Sequence, residues 1–369
     1  MKKIGIITYH SIPNHGGMLQ MYGLCEIMKG LGESPIIILH EKRSWNNSNV
    51  LQTDILEKIK RYIKIDNWRL KINSLKQKKF DMEKMEEILK FQENYFETSD
   101  DIDACEKLCI GSDEVFSIKT GFTPEFFGEN IDKPFFSYAG SFGQTDIALI
   151  EKYGLTNRLK EDFLQFKGIS VRDKNSANTI KELIGVDVPI HIDPVLLYGY
   201  KEIVDFTPHN IEDTLILYSY NASMCRGKDI SSIKKVAKKR KVGILSAGFY
   251  HYWCNQSINY SPFEMIEKFC KSKYVITDTF HGAVISIITH TQFVVLVRED
   301  FNSNKICGLL DLLELRGRLA NNVDDIDKII DKPIDFEKVE KKLDECRDEA
   351  RKYLSYCLSE VQNESNGTM

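Results

Sequence analysis

The stretch that most limits what this chain can become is Lys273 to Val297, KYVITDTFHGAVISIITHTQFVVLV. A short apolar run (Tyr274, Val275, Ile276) breaks at Asp278-Thr279-Phe280-His281-Gly282. An apolar segment of helical length follows, and Phe293 to Val297 is β-rich again. The pattern reads strand, tight turn, helix, strand. In open parallel sheets ligands bind in the crevice beyond the carboxyl ends of the strands, so this polar turn is where chemistry would be placed. Asp278 and His281 are the first candidates. Equally, Asp278 or Thr279 reads as a plain helix N-cap and His281 as an ordinary first-turn residue.

With 369 residues the chain is longer than the ~250–300 at which a single core stops growing, so two domains are expected. Charge is nearly balanced, 50 Lys and Arg against 54 Asp and Glu, which removes the electrostatic case for nucleic acid as a partner. No apolar run reaches the roughly 18 residues that span a bilayer, and MKKIGIITYH is too short and strand-like for a secretory leader. A cytoplasmic location is expected. The nine cysteines include no CxxC pair and read as reduced thiols, with no zinc site.

In chain order, Lys3 to Tyr9 is a strand that leads into Ser11-Ile12-Pro13-Asn14-His15-Gly16-Gly17 and a helix with an apolar stripe, ended by Gly32; Pro35 to His40 is the second strand. The loop between them matches neither GxGxxG nor a Walker A sequence, so a dinucleotide or nucleoside triphosphate is disfavoured. It reads as a tight βα turn, or as a helix start that admits an anion or a sugar hydroxyl. A helical insertion is expected over about 50–98. Its part 57–79 carries nine Lys or Arg against two acids, interleaved with Ile59, Tyr62, Ile63, Trp68 and Leu75. That composition suits either an anionic membrane surface or a solvated helix packed on its own domain.

Leu108 to Phe116, Lys133 to Gly143 and Ile169 to Asp173 read as strands whose carboxyl ends carry Ser112 and Asp113, small residues, and Arg172. Arg172 reads as a salt-bridge partner of Asp173 or as a bidentate anion clamp. A helix follows from about Ser176 to Ile184, and Tyr200 to Asp213 reads as an interdomain linker. The alternation then restarts, with strands at Thr214–Tyr218 and Lys241–Ser246 and helices at Asp229–Lys238, Pro262–Ser272 and Asn304–Leu315. The expected architecture is α/β: two Rossmann-like domains, 1–200 and 210–369, facing across a cleft in a GT-B-like arrangement, with a terminal helix over 335–362.

NHGGMLQMYGL, IGSDEVF, SYAGSFG, ISVRD, HIDPVLL, TDTFHG and NKICGLL, in this order and at these separations, resemble the polysaccharide pyruvyl transferase family. The likeness covers residues 1–45 and about 105–320; Phe116 stands where the family's strand motif often ends in Trp, and the basic insertion belongs to no motif. The resemblance implies transfer of a pyruvyl group from phosphoenolpyruvate onto sugar hydroxyls as a ketal on a bacterial capsule or exopolysaccharide or its lipid-linked precursor, with no metal and no cofactor. It implies donor binding at Arg172, at His281 with Gly282, and more loosely at Lys305.

Those residue types suit the donor. Phosphoenolpyruvate brings a phosphate and a carboxylate, Arg172 offers a fork and Lys305 a point charge, and a helix start beside His281 adds a positive end. His281 is expected to act as general acid or to stabilise the leaving phosphate, with Asp278 orienting the imidazole or capping the helix. Acceptor recognition is assigned to the first half, at Asn14, His15, Gln20 and Ser112, with Asp113 taking the proton of the attacking hydroxyl. Two rival readings stand beside this one: a GT-B glycosyltransferase using a nucleotide sugar, and a noncatalytic glycan-binding protein on the same fold.

Overall fold

The computed structural model describes residues 2–40, 68–119, 121–206, 211–297 and 303–366. The first half holds β1 (Lys2–Ile7), β2 (Glu33–Ile38), β3 (Thr98–Ser99), β4 (Lys107–Ile110) and β5 (Phe135–Ser137), all parallel, in the order β3-β2-β1-β4-β5. The second holds β6 (Glu212–Tyr218), β7 (Gly243–Ala247), β8 (Gln256–Ile258), β9 (Ser272–Thr277), β10 (Phe293–Leu296) and β11 (Leu319–Ala320), also parallel, in the order β11-β10-β9-β6-β7-β8. Numbered within its own half, each sheet follows the doubly wound Rossmann order, and strand direction of travel reverses between β1 and β4 and between β6 and β9. Those two gaps are the switch points at which such sheets take ligands. The architecture is therefore α/β with two Rossmann-like sheets, the GT-B-like arrangement.

Eight helices matter for the site: α1 (His15–Gly30), α2 (Trp68–Tyr95), α3 (Lys174–Ile184), α4 (Pro194–Tyr198), α5 (Pro262–Cys270), α6 (Phe280–Ile288), α7 (Ser303–Leu312) and α8 (Phe336–Asn366). Every residue of α6 is buried, which explains why its sequence is apolar all round rather than striped. One apolar core runs through both halves: Ile4 and Ile6 of β1 and Leu19 of α1 share it with Val275 of β9, Met265 of α5 and Leu343 and Leu354 of α8. A second, phenylalanine-rich cluster with Phe116, Phe127, Phe142 and Phe163 covers the other face of the first sheet.

Three expected strands are shorter than the apolar pattern implies. The run from Leu108 stops at Ile110 because Gly111 and Asp113 take φ of 120° and 74°, and the run through Phe135 stops at Ser137 because Ala139 takes φ of 48°. Ile169 to Asp173 forms no strand; Val171 makes only single bridges to Gly140 and Ile190 at the sheet edge. The helical insertion is present as α2, while 41–67, with most of the basic run 57–79, lies outside the described residues.

Tyr200, in the expected linker, is fully buried and its hydroxyl donates to the Leu19 carbonyl, so the crossing between the halves is anchored in the core. The terminal helix does not belong to the second half alone. It starts there, with Lys338 paired to Glu314, and ends on the first sheet, where the buried Lys107–Glu33 pair reaches the Leu358 carbonyl and Tyr353 donates to the Ser137 carbonyl.

Candidate active site

A cavity of about 410 Å³ opens between the halves, lined among others by Arg172, His191, Asp193, Phe280, Lys305 and Leu309. Arg172 is its most fully partnered cation. Nη1 donates to Asp193 Oδ2 at 2.8 Å and Nη2 to Asp113 Oδ1 at 3.0 Å, while the guanidinium lies 4.5 Å from the Phe280 ring centroid. Asp173, the expected partner, is instead the N-cap of α3, accepting from Ser176 N–H at 2.9 Å and from the Ser141 hydroxyl at 2.6 Å. Lys305 reaches across from α7 and donates to Glu114 Oε1 at 2.6 Å. Arg172 and Lys305 are thus each held by a carboxylate, and the two ion pairs of Arg172 are buried on both sides or nearly so.

Two polar atoms stay without a partner among the described residues here, Arg172 Nε and His281 Nε2. His281 is not among the cavity-lining residues, but its Nε2 lies 3.8 Å from Oδ2 of Asp193, which is. Gly16 of the first half touches its other side: a Cβ there would fall 2.1 Å from His281 Cγ. Burial lowers the imidazole pKa, Arg172 and Lys305 lower it further, and Asp193 and Asp113 oppose them. The free site therefore holds His281 neutral at pH 7. Burial would raise Asp113, but the Arg172 guanidinium, with the Lys305 charge, outweighs it and holds the carboxyl well below the usual range. A carboxylate held that low is a poor proton acceptor, so the geometry gives Asp113 the task of fixing Arg172 rather than of a base.

Asp278 does not cap the helix. Thr279 is the N-cap of α6, accepting from Gly282 N–H at 2.9 Å, and Asp278 accepts from the Ser219 hydroxyl at 2.9 Å. The Gly282 N–H is consequently committed to the cap instead of a ligand, and the lack of a side chain is needed because a Cβ would fall 2.1 Å from Thr277 Oγ1. Asp193 takes the place next to His281 that the sequence reading gave to Asp278.

The acceptor candidates are mostly structural. Asn14 is the N-cap of α1, accepting from Gly16 N–H at 3.0 Å. Gln20 donates to Thr8 Oγ1 at 3.1 Å, Thr8 to the Ser112 carbonyl at 3.0 Å, and Ser112 to the Ala139 carbonyl at 3.1 Å. This fully buried chain of bonds stitches together the carboxyl ends of β1, β4 and β5. His15 is fully buried as well: Nε2–H donates to the Tyr260 carbonyl at 2.9 Å, and burial followed by the nearby Lys84 charge pushes its pKa down to about 3. Its ring fits only because Gly248 has no side chain; a Cβ there would fall 2.6 Å from His15 Cε1. Two neighbouring residues of the first half therefore interlock with the second, His15 into Gly248 and Gly16 under His281.

Asp193, Glu114 and Phe280 complete the site and were not singled out from sequence. Asp193 stands before Pro194 and caps α4, accepting from Val195 N–H at 2.9 Å, which is how an Asp-Pro pair ordinarily reads. The available signal was its position inside HIDPVLL, one of the motifs behind the resemblance.

No group of three or more His, Cys, Asp or Glu residues able to hold a metal occurs among the described residues, and none of their helices is long and apolar enough to cross a membrane. Among solved structures the chain is similar to the S. aureus MnaA–UDP complex at 13% identity and a TM-score of 0.49, covering 94% of this chain and 91% of that one. It is also similar to an alpha-glucosyltransferase in complex with UDP, at 11% identity and a TM-score of 0.48, covering 98% and 99%, and to Phytolacca americana UGT2 bound to UDP-2fluoro-glucose and pterostilbene, at 10% and 0.45, covering 99% of each. No curated protein matches. The family model described as polysaccharide pyruvyl transferase matches residues 14–300, most of the chain, and the protein belongs to that family.

Proposed function

We propose that the protein transfers the pyruvyl group of phosphoenolpyruvate onto two hydroxyls of a sugar in a bacterial surface glycan or its precursor, forming a ketal and releasing phosphate. The observation that carries this reading is the pair of partnerless nitrogens, Arg172 Nε and His281 Nε2, set beside one interdomain cavity with Lys305 on its wall. Buried polar atoms in native proteins are normally satisfied, and those at a cleft are satisfied by what binds there. An anion with several acceptor oxygens supplies what both nitrogens and the Lys305 ammonium lack.

In this mechanism the donor carboxylate or phosphate takes the free edge of the Arg172 guanidinium, whose other edge Asp113 and Asp193 hold in place. The incoming negative charge raises the His281 pKa from its lowered resting value, so the imidazole gains a proton as the donor binds. That proton goes to the methylene carbon, or to the phosphate as its C–O bond breaks. The first sugar hydroxyl attacks the resulting oxocarbenium-like carbon, phosphate departs, and the second hydroxyl closes the ketal; the two hydroxyl protons balance the methyl group and the phosphate.

Two results are expected. Since the free imidazole is neutral, kcat/KM for the donor should rise as pH falls from about 8 toward about 6, and that limb should be absent in His281→Asn. A pH profile unchanged by the substitution would remove His281 from proton transfer. Glu114 competes with the donor for Lys305, so Glu114→Gln should lower the donor KM severalfold without raising kcat, measured by phosphate release. A higher KM in that variant would show the Glu114–Lys305 pair to be needed in the bound state.

A further inference from the structure

Helix α2 is inserted in the first half yet docks on the second. Phe91 and Tyr95 pack on Phe263 of α5 with ring centroids 4.9 and 5.0 Å apart. The Phe80 carbonyl accepts from Asn259 Nδ2 at 2.9 Å, and Asp81 Oδ1 from Asn221 Nδ2 at 3.3 Å. Asn221, Phe249 and Asn259 follow the carboxyl ends of β6, β7 and β8, so the helix lies across the ligand-binding edge of the second sheet.

Lys84 is the residue this helix turns toward that edge. It is 7% exposed and makes neither an ion pair nor a hydrogen bond with any described residue; its Nζ sits 4.3 Å from the Phe249 ring centroid. Removing an ammonium from water without an anionic partner is costly, and one aromatic face returns only about 0.5–2 kcal/mol. Burial pulls its pKa down to about 8, with Asp81 opposing. A second polar group meets the same ring: Tyr218 packs on Phe249 at 5.1 Å, and its hydroxyl, in a side chain 1% exposed, has no partner among the described residues. Neither residue lines the Arg172 cavity.

Lys84 and Tyr218 thus both contact the Phe249 ring at the ligand-binding edge of the second sheet, and neither has a hydrogen-bond partner among the described residues. We propose that Lys84 and Tyr218 bind a carboxylate or phosphate carried by the acceptor, so that acidic or phosphate-linked glycans are selected over neutral ones. Only the word acceptor rests on the transferase reading; the site itself is testable without turnover. Full-length protein labelled with [ε-13C]lysine is titrated separately with glucuronate, standing for an acidic sugar, and with pyrophosphate, standing for a phosphate linkage. One probe should shift the Lys84 resonance saturably, and its identity names the source of the anion. Lys84→Arg should retain that binding, and Tyr218→Phe should weaken it by about tenfold, the typical worth of one hydrogen bond to a charged group.

In the kinetic arm, Lys84→Met should lower kcat/KM by 10-fold or more, about 1.4 kcal/mol, for an acidic acceptor and leave a neutral one unchanged. The proposal is overturned if neither probe moves the Lys84 resonance, or if Lys84→Met slows both acceptors equally. A protein that binds a probe through Lys84 yet turns over no acceptor with phosphoenolpyruvate would keep this site and sink the transferase reading.

Discussion

Gly16→Ala is expected to abolish turnover in a protein that still folds, whereas Gly17→Ala, one residue on, should leave both activity and stability near wild type. The added methyl at Gly16 would fall 2.1, 2.3 and 2.5 Å from Cγ, Nδ1 and Cβ of His281, all closer than atoms can approach, while at Gly17 the nearest atom is Asn14 Cβ at 3.7 Å. Either the imidazole turns away or the halves separate at this seam. Overpacking of this kind costs about 1–3 kcal/mol of stability, and displacing a catalytic group by about 1 Å costs about 10²-fold in rate. Thermal melts and phosphate-release kinetics on the two variants separate the cases. Turnover near wild type in Gly16→Ala would mean that this contact does not set the position of His281.

The second large effect is expected at Arg172. Arg172→Lys keeps the charge and loses the fork, so it cannot hold Asp113 and Asp193 together and still present a free N–H to a donor. Donor kcat/KM should fall by about 10²–10³, the range found when a preorganised anion-binding donor is removed. Arg172→Met should also destabilise, by about 3–5 kcal/mol, because Asp193 is sealed from solvent and would be left an unpaired buried charge. Comparing denaturation midpoints with donor titrations distinguishes the two consequences. A lysine variant with unaltered donor affinity would show that the guanidinium serves the fold alone.

The parts of this architecture that could be read from sequence are those whose local pattern and tertiary role agree. Lys273 to Val297 was legible because β9 and β10 are β-branched and α6 is buried on every side, so composition and length point the same way. Arg172, His281 and Lys305 were singled out because they stand within recognisable motifs; the fold puts Arg172 and Lys305 on the wall of one cavity and His281 Nε2 3.8 Å from Asp193, which also lines it. Strand lengths were not legible, since nothing in Asp113 or Ala139 announces a positive φ.

Gln20 and Ser112 show a different limit. A polar residue at a strand end looks the same whether it faces a ligand or crosses to the next strand, and here both cross, within the bonds that tie β1, β4 and β5. Asp193 was hidden for the opposite reason: its capping role at Pro194 is an adequate local explanation, and its hold on Arg172, 21 residues away, is visible only in three dimensions. Gly16 read as half of a glycine pair in a βα turn, although its partner is a ring from the other half of the chain.

The identity of the donor separates a pyruvyl transferase from a nucleotide-sugar glycosyltransferase, and one assay reads it. The purified protein is incubated with a sugar acceptor and either phosphoenolpyruvate or a nucleotide sugar, and products are followed by phosphate and nucleoside diphosphate release and by acceptor mass. Inorganic phosphate should appear in step with an acceptor that gains one pyruvate less one water, with phosphoenolpyruvate only. Nucleoside diphosphate release with a hexose added to the acceptor, and no reaction with phosphoenolpyruvate, would contradict it.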